Sequence, residues 1–149
     1  MSTSVSTSVS ALELAGRLRA VVTRLNRRLR REAGSGLSPT AGLALASLRS
    51  HGPLSLSELA AQEGVKPPTM TATVQALERL GYVTRQPDLG DRRVTRIAIA
   101  ARGRQELDRR RRQKTAYLAA RLQGFSASER ADLDETLGLL EKLLEESPR

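Results

Sequence analysis

"GVKPPTMTATVQALERLGYVTRQPDLGDRRVTRI", Gly64 to Ile97, places two unlike patterns back to back. The first half predicts a helix from Pro67 to Leu80, with Gly81 as its C-terminal stop. At about 100° per residue, Met70, Val74, Leu77 and Gly81 fall on one narrow stripe, which must face a core. Pro68, Ala72, Gln75 and Arg79 fall on the opposite side, flanked by Thr69, Thr71 and Ala76. That outer face is small and polar and lacks long carboxylates. Such a face fits the major groove of duplex DNA, where Gln75 can pair with adenine and a threonine with a base or phosphate. An ordinary solvated face would carry mixed Glu and Lys instead.

The helix start adds a second sign. Lys66 stands at the N-cap, where Ser, Thr, Asp or Asn is expected, and its charge opposes the helix dipole. Pro67 and Pro68 remove two backbone donors. A phosphate beside Lys66 would offset both losses; a tolerated poor cap is the other reading. Beyond Gly81, Tyr82–Gln86 and Val94–Ile99 read as strands of a hairpin whose turn is Pro87, Asp88 and Gly90. Arg92 and Arg93 sit at or near its tip, and an arginine there fits a minor groove of about 6 Å. Asp91 lies two residues before Arg93, close enough to pair with it and fix the hairpin's shape.

Upstream, Ser55-Leu56-Ser57-Glu58 is a capping box, so a short helix runs from Ser55 to Gly64. Two short helices around a tight connector make a helix-turn-helix. Before them, Ser38-Pro39 opens a helix that His51-Gly52-Pro53 closes. Leu14, Leu18, Val21, Leu25 and Leu29 recur at helical spacing from Ala11 to Arg31. Downstream, Arg102–Leu122 reads as a long helix with Leu107, Leu118 and Leu122 on one stripe, interrupted by "RRRRQK" (109–114). A second capping box, Ser126 to Glu129, opens a helix with Leu133, Leu137, Leu140 and Leu144 at regular spacing. The expected order is α-α-α-α-β-β-α-α.

The bulk composition narrows the function. The chain has 149 residues, a formal net charge of +9 and only 2% aromatics. Such charge at this size points first to a polyanionic partner. It is also uneven: residues 79–104 hold seven arginines against two aspartates, while 129–149 hold seven acidic residues against three basic ones. The polyanion therefore belongs near the hairpin and away from the C-terminal helix. With no cysteine and one histidine, His51, the chain offers neither thiol chemistry, zinc clusters nor a catalytic pair. No metal site, cofactor or enzymatic activity is expected. No apolar run approaches the roughly 18 residues of a membrane span, and the Ser/Thr-rich start has no signal-peptide character. A cytoplasmic protein with no membrane partner is expected.

Leu54 to Gly103 resembles the winged helix of the multiple antibiotic resistance regulator (MarR) family. The matching pieces are "LSLSELA" leading to "GV", the Thr69-x-Thr71 pair, "LERLGYVTR", and Asp91-x-Arg93 followed by Ile97, Ile99 and Gly103. Two positions depart from the family pattern. Lys66 replaces a Ser or Thr, and Ala100 replaces the threonine that opens the next helix, losing a cap worth roughly 1 kcal/mol. The resemblance implies a homodimer joined by the first helix and the last two, on a pseudo-palindromic operator. It implies repression as the commoner mode, and a small-molecule effector, often an anionic aromatic, lodged between the dimerisation and DNA-binding regions. Of the aromatics, Tyr82, Tyr117 and Phe125 are expected in the core.

The fold class is thus mainly α with a small β-hairpin wing, an α+β winged helix-turn-helix with terminal dimerisation helices. The expected layout is a disordered tail (1–10), an N-terminal dimerisation helix (11–33), the DNA-binding domain (38–100) and C-terminal dimerisation helices (101–146). Leu14, Leu18, Val21, Leu25, Leu133, Leu137, Leu140 and Leu144 are the expected dimer contacts. Lys66, Pro68, Thr69, Thr71, Ala72, Gln75, Arg79, Arg92 and Arg93 are the expected DNA contacts. The competing reading is a basic RNA-binding or ribosome-associated protein. It is disfavoured because sequence-specific RNA modules display aromatics for stacking, and Tyr82 is the only one in the basic region. "RRRRQK" spreads round most of its helix and is expected to be largely solvated.

Overall fold

The computed structural model describes residues 9–34 and 36–145. Helix α1 (Ala11–Glu32) starts where the Ser10 hydroxyl accepts a hydrogen bond from the Glu13 amide at 3.2 Å. Ser10 is thus a cap rather than part of the expected tail, whose residues 1–8 lie outside the described ones. Helix α2 (Pro39–His51) is capped by Ser38 and closed by Gly52 at φ 80°, a conformation that favours glycine.

Leu54–Ser55 forms a short strand, β1, so the expected hairpin is a three-stranded antiparallel sheet in the order β1-β3-β2. Two residues carry no readable periodicity, and only the partner strand makes them a strand. Helix α3 is correspondingly shorter than expected, Leu56–Gln62, because Ser55 pairs with Arg96 across the sheet. The capping box holds: the Glu58 amide donates to the Ser55 hydroxyl at 3.2 Å, and the Ser55 amide to the Glu58 carboxylate at 2.7 Å.

Helix α4 (Pro67–Arg79) ends one residue early, with Leu80 as C-cap. Gly81 does not continue the apolar stripe; it is exposed at φ 72° and turns the chain into the sheet. Strands β2 (Val83–Pro87) and β3 (Thr95–Ile99) each begin one residue later than expected, pairing from Val83↔Ile99 to Pro87↔Thr95. Helix α5 (Ala101–Leu122) follows from Ala100, which offers no side-chain cap. A β-carbon on Gly103 would collide with the Tyr82 carbonyl, so this crossing of helix over strand requires glycine. Helix α6 (Ala127–Glu145) opens on the expected second capping box, with Ser126 and Glu129 exchanging bonds at 2.7 and 3.1 Å.

One core holds the middle of the chain together. Leu45 and Leu48 from α2, Leu59 from α3, Met70, Val74 and Leu77 from α4 and Ile97 from β3 are all fully buried. Each such side chain contributes roughly 1.5–3 kcal/mol by leaving water. Val83 and Ile99 close the sheet side, and Tyr82 and Leu107 pack partly against the cluster. Helices α1 and α6 contribute nothing to it: neither contains a buried residue.

Candidate nucleic-acid interface

The stripe of Met70, Val74 and Leu77 fixes the rotation of α4 and so decides what its far side presents. Pro68, Thr69, Ala72, Gln75 and Arg79 are all exposed there, together with Lys66 at the helix start. Thr71 differs from expectation. It is half-buried, and its hydroxyl donates to the Pro67 carbonyl at 3.0 Å, leaving only its lone pairs for another partner. Lys66 makes no capping bond, and among the first three helical residues only Thr69 keeps an N–H. The helix end is therefore poor in donors but carries an exposed cation.

Across the sheet, the tip of the β2–β3 hairpin is a closed turn. The Asp88 amide donates to the Val94 carbonyl and the Val94 amide to the Asp91 carbonyl, both at 2.9 Å. Asp88 Oδ2 also accepts from the Gly90 and Asp91 amides at 2.9 Å each. Arg92 is exposed beyond this turn. Arg93 is 91% exposed and pairs with Asp91 at 3.1 Å, the contact expected from their spacing. That pair, with the Arg93 amide also donating to Asp91, holds the Asp91 carboxyl below its ordinary range.

The larger brace was not read from the sequence. Asp88 forms an ion pair with Arg96, and Arg96 Nη1 reaches Glu58 Oε2 at 2.8 Å. The Arg96 hydrogen bond, followed by the Asp91 and Gly90 amides, holds the Asp88 carboxyl down to about 2. On the other strand, Arg85 forms two bonds to Glu78 of α4, at 2.7 and 3.1 Å. The Asp88-Leu-Gly90 turn was the available signal for the first brace. The Glu78–Arg85 pair joins two elements and has no sequence spacing to reveal it.

Two further sites lie toward the terminal helices. "RRRRQK", expected to be largely solvated, contains no buried residue, but two of its arginines turn inward. Glu106 draws Arg109 and Arg110 to 2.7 Å each, and the Arg110 side chain is only 12% exposed. These bonds, Arg109 first, hold the Glu106 carboxyl at about 2 against burial, which raises it. Arg110, Arg111 and Lys114 then face Arg30 and Arg49 around a cavity of about 410 Å³ between α1, α2 and α5, with Leu37, Leu43 and Leu107 in its lining. Leu25 and Leu133 meet in an open apolar groove beside Tyr117, Leu118, Leu122 and Phe125. Two guanidinium groups, Arg28 and Arg121, lie 5.4 and 5.3 Å from the Tyr117 ring centre. Phe125 was expected in the core but is 44% exposed in the single chain. Leu14, Val21, Leu137 and Leu144 are exposed too, while Leu18 and Leu140 are half-buried.

The fold thus sets a helix-turn-helix and an arginine-tipped wing between α1 and the helices α5 and α6. The MarR family pattern matches residues 37–95. An HTH-type transcriptional regulator of Mycobacterium tuberculosis is 34% identical over 140 residues, covering 93% of this chain and 98% of that protein. The chain belongs to the MarR family. A solved transcriptional regulator from Pseudomonas aeruginosa PA01 superposes on this MarR protein with a TM-score of 0.80 at 33% identity, over 91% of this chain and 97% of that one. The Bacillus subtilis transcriptional repressor MdtR is 35% identical over 68 residues, 46% of this chain and 44% of that protein. This MarR protein is accordingly a DNA-binding transcriptional regulator and not an enzyme. Among the described residues, no helix is long and apolar enough to cross a membrane and no acidic or histidine cluster could hold a metal.

Proposed function

We propose that the protein is a repressor that binds a pseudo-palindromic operator as a homodimer. The observation that carries this reading is the exposed face of α4, small and free of carboxylates, beside a wing whose turn Asp88 closes, with Arg92 beyond it. Pro68, Thr69, Ala72 and Gln75 meet base edges, with Thr71 as an acceptor only. Lys66, Arg79, Arg92 and Arg93 meet phosphates and the narrow groove, and Asp91 holds the wing. Residues 38–100 form the DNA-binding unit, and 11–33 with 101–146 the dimerisation unit. The exposed leucines of α1 and α6 and the groove at Tyr117 support a second copy as the covering surface. The repressor assignment rests on the similarity to MdtR. Acting on chromosomal DNA, the protein works in the cytoplasm.

The cavity between α1, α2 and α5 is the effector site in this reading. Its volume suits a small ligand, and the cations along its apolar wall, Arg30, Arg111 and Lys114 beside the ion-paired Arg49 and Arg110, favour an anion with an apolar, aromatic body. A ligand there would alter the spacing of α1 and α5 against α2, and so the separation of the two recognition helices.

Selection of bound duplexes from a random pool gives the operator, and two variants then test the division of roles. Gln75→Ala costs about 1–3 kcal/mol on that operator and little on random duplex. Arg92→Ala weakens both evenly and lowers the salt slope by about one unit. Equal losses on both duplexes for Gln75→Ala, with an intact slope for Arg92→Ala, would refute the assignment.

A further inference from the structure

The outer wing has no core of its own. From residue 84 to residue 96 no side chain is buried, so packing does not fix the angle at which the tip leaves the protein. Arg85 ties the base of β2 to Glu78 of α4, and beyond it, among the described residues, only Arg96 ties the tip turn back. Arg96 stands in the central strand, opposite Ser55 on one side and Gln86 on the other. Its guanidinium bridges Asp88 in the tip turn and Glu58 at the start of α3. Each carboxylate also organises local backbone. Asp88 Oδ2 accepts the Gly90 and Asp91 amides, and Glu58 Oε2 accepts the Ser55 amide together with Arg96. A continuous chain of charge-assisted bonds therefore runs from the wing tip to the cap of the first helix of the helix-turn-helix.

We propose that Arg96 is a positioning residue for DNA binding: it sets the wing's angle to the helix-turn-helix, so that Arg92 and α4 engage one duplex together. This rests on the reading of the wing as a DNA contact. The planar fork is what the role needs, because two carboxylates on different elements must be held at once; an ammonium is a single point charge on a flexible stem. With Asp88 ionised down to about pH 2, the brace persists throughout the working range.

Two readouts test it, one without DNA. The chain has no cysteine, so Ala61→Cys on α3 and Leu89→Cys at the fully exposed wing tip accept spin labels at those two positions alone. The labelled chain is diluted into excess unlabelled protein, so that one protomer of a dimer carries both labels. Pulsed electron spin resonance then gives a narrow distance distribution in the otherwise unchanged protein, broadened by Arg96→Lys, which keeps the charge, and by Arg96→Gln. Unchanged distributions in both would overturn the proposal. The second readout is a double-mutant cycle on the selected operator across a salt series. Arg96→Lys lowers affinity and salt slope by about as much as Arg92→Ala, and Arg92→Ala then adds nothing further. Full additivity of the two would overturn the proposal. So would an Arg92→Ala variant that binds as tightly as its parent; in that case the wing reading itself has failed, even with broadened distances.

Discussion

Helices α4 and α6 both carry apolar residues at helical spacing, and the shorter one is the better buried. Met70, Val74 and Leu77 of α4 are fully enclosed, whereas Leu137 and Leu144 of α6 are 48% and 84% exposed. The difference lies in what faces them. α4 closes against α2, α3 and the sheet, all within one chain; α6 has no such cover among the described residues. An apolar stripe specifies a face and not the surface that meets it. The middle of the chain is a finished core, and its two ends leave their apolar stripes uncovered.

The sharpest way to break this contrast is to charge the unfinished half. Val21→Glu combined with Leu137→Glu converts dimer to monomer at micromolar concentration in analytical ultracentrifugation, and operator binding falls with it. A doubly substituted protein that sediments as a dimer would place the interface elsewhere. Next in size is the finished half: Leu77→Ala destabilises by about 2–5 kcal/mol in denaturant unfolding, through lost burial and a residual cavity. If Leu77→Ala cost no more than a surface change, the core described for α4 would be wrong.

Smaller effects probe the seam at α5. Ala100→Ser supplies the missing cap at a residue already in extended geometry (φ −81°, ψ 164°), and raises stability by about 1 kcal/mol. An unchanged unfolding midpoint would show that the cap position is misplaced. Glu106 gives a pH signature. Its carboxyl lies at about 2 when folded against an ordinary 4.5, so it stabilises fully above pH 4.5 and loses that contribution as pH falls toward 2. Glu106→Gln therefore flattens part of the acid decline in urea midpoint between pH 4.5 and 2. The Asp88 share remains, and identical declines in parent and variant would exclude the pair.

Legibility in the sequence followed the range of each interaction. The capping boxes at Ser55 and Ser126, the stripe at Met70 and the Asp91–Arg93 pair are set by residues two to four apart, and each was readable. Strand β1 was not, because Leu54 and Ser55 become a strand only through Ile97 and Arg96. The Arg96 bridge and the Arg85–Glu78 pair likewise join elements distant in sequence. Thr71 was assigned from its place on the helical wheel, which says nothing of where a hydroxyl sends its proton. The ion pairs within "RRRRQK" were hidden for a related reason: Glu106 lies just outside the run and gathers two of its arginines inward.

Tyr117, in contact with Arg28 of α1 and Arg121 of its own helix, also makes the protein its own optical probe. The chain has no tryptophan and two tyrosines, one at each of the contrasted regions. Tyr82 lies under the wing, half-buried, with Arg102 5.8 Å from its ring centre. Tyr117 lies at the α1–α5 seam, where its hydroxyl accepts from Arg28 Nε at 3.2 Å. Replacing either tyrosine by Phe leaves a single emitter. Dissociation of the terminal helices and loosening of the wing then become separate fluorescence signals in the same unlabelled molecule.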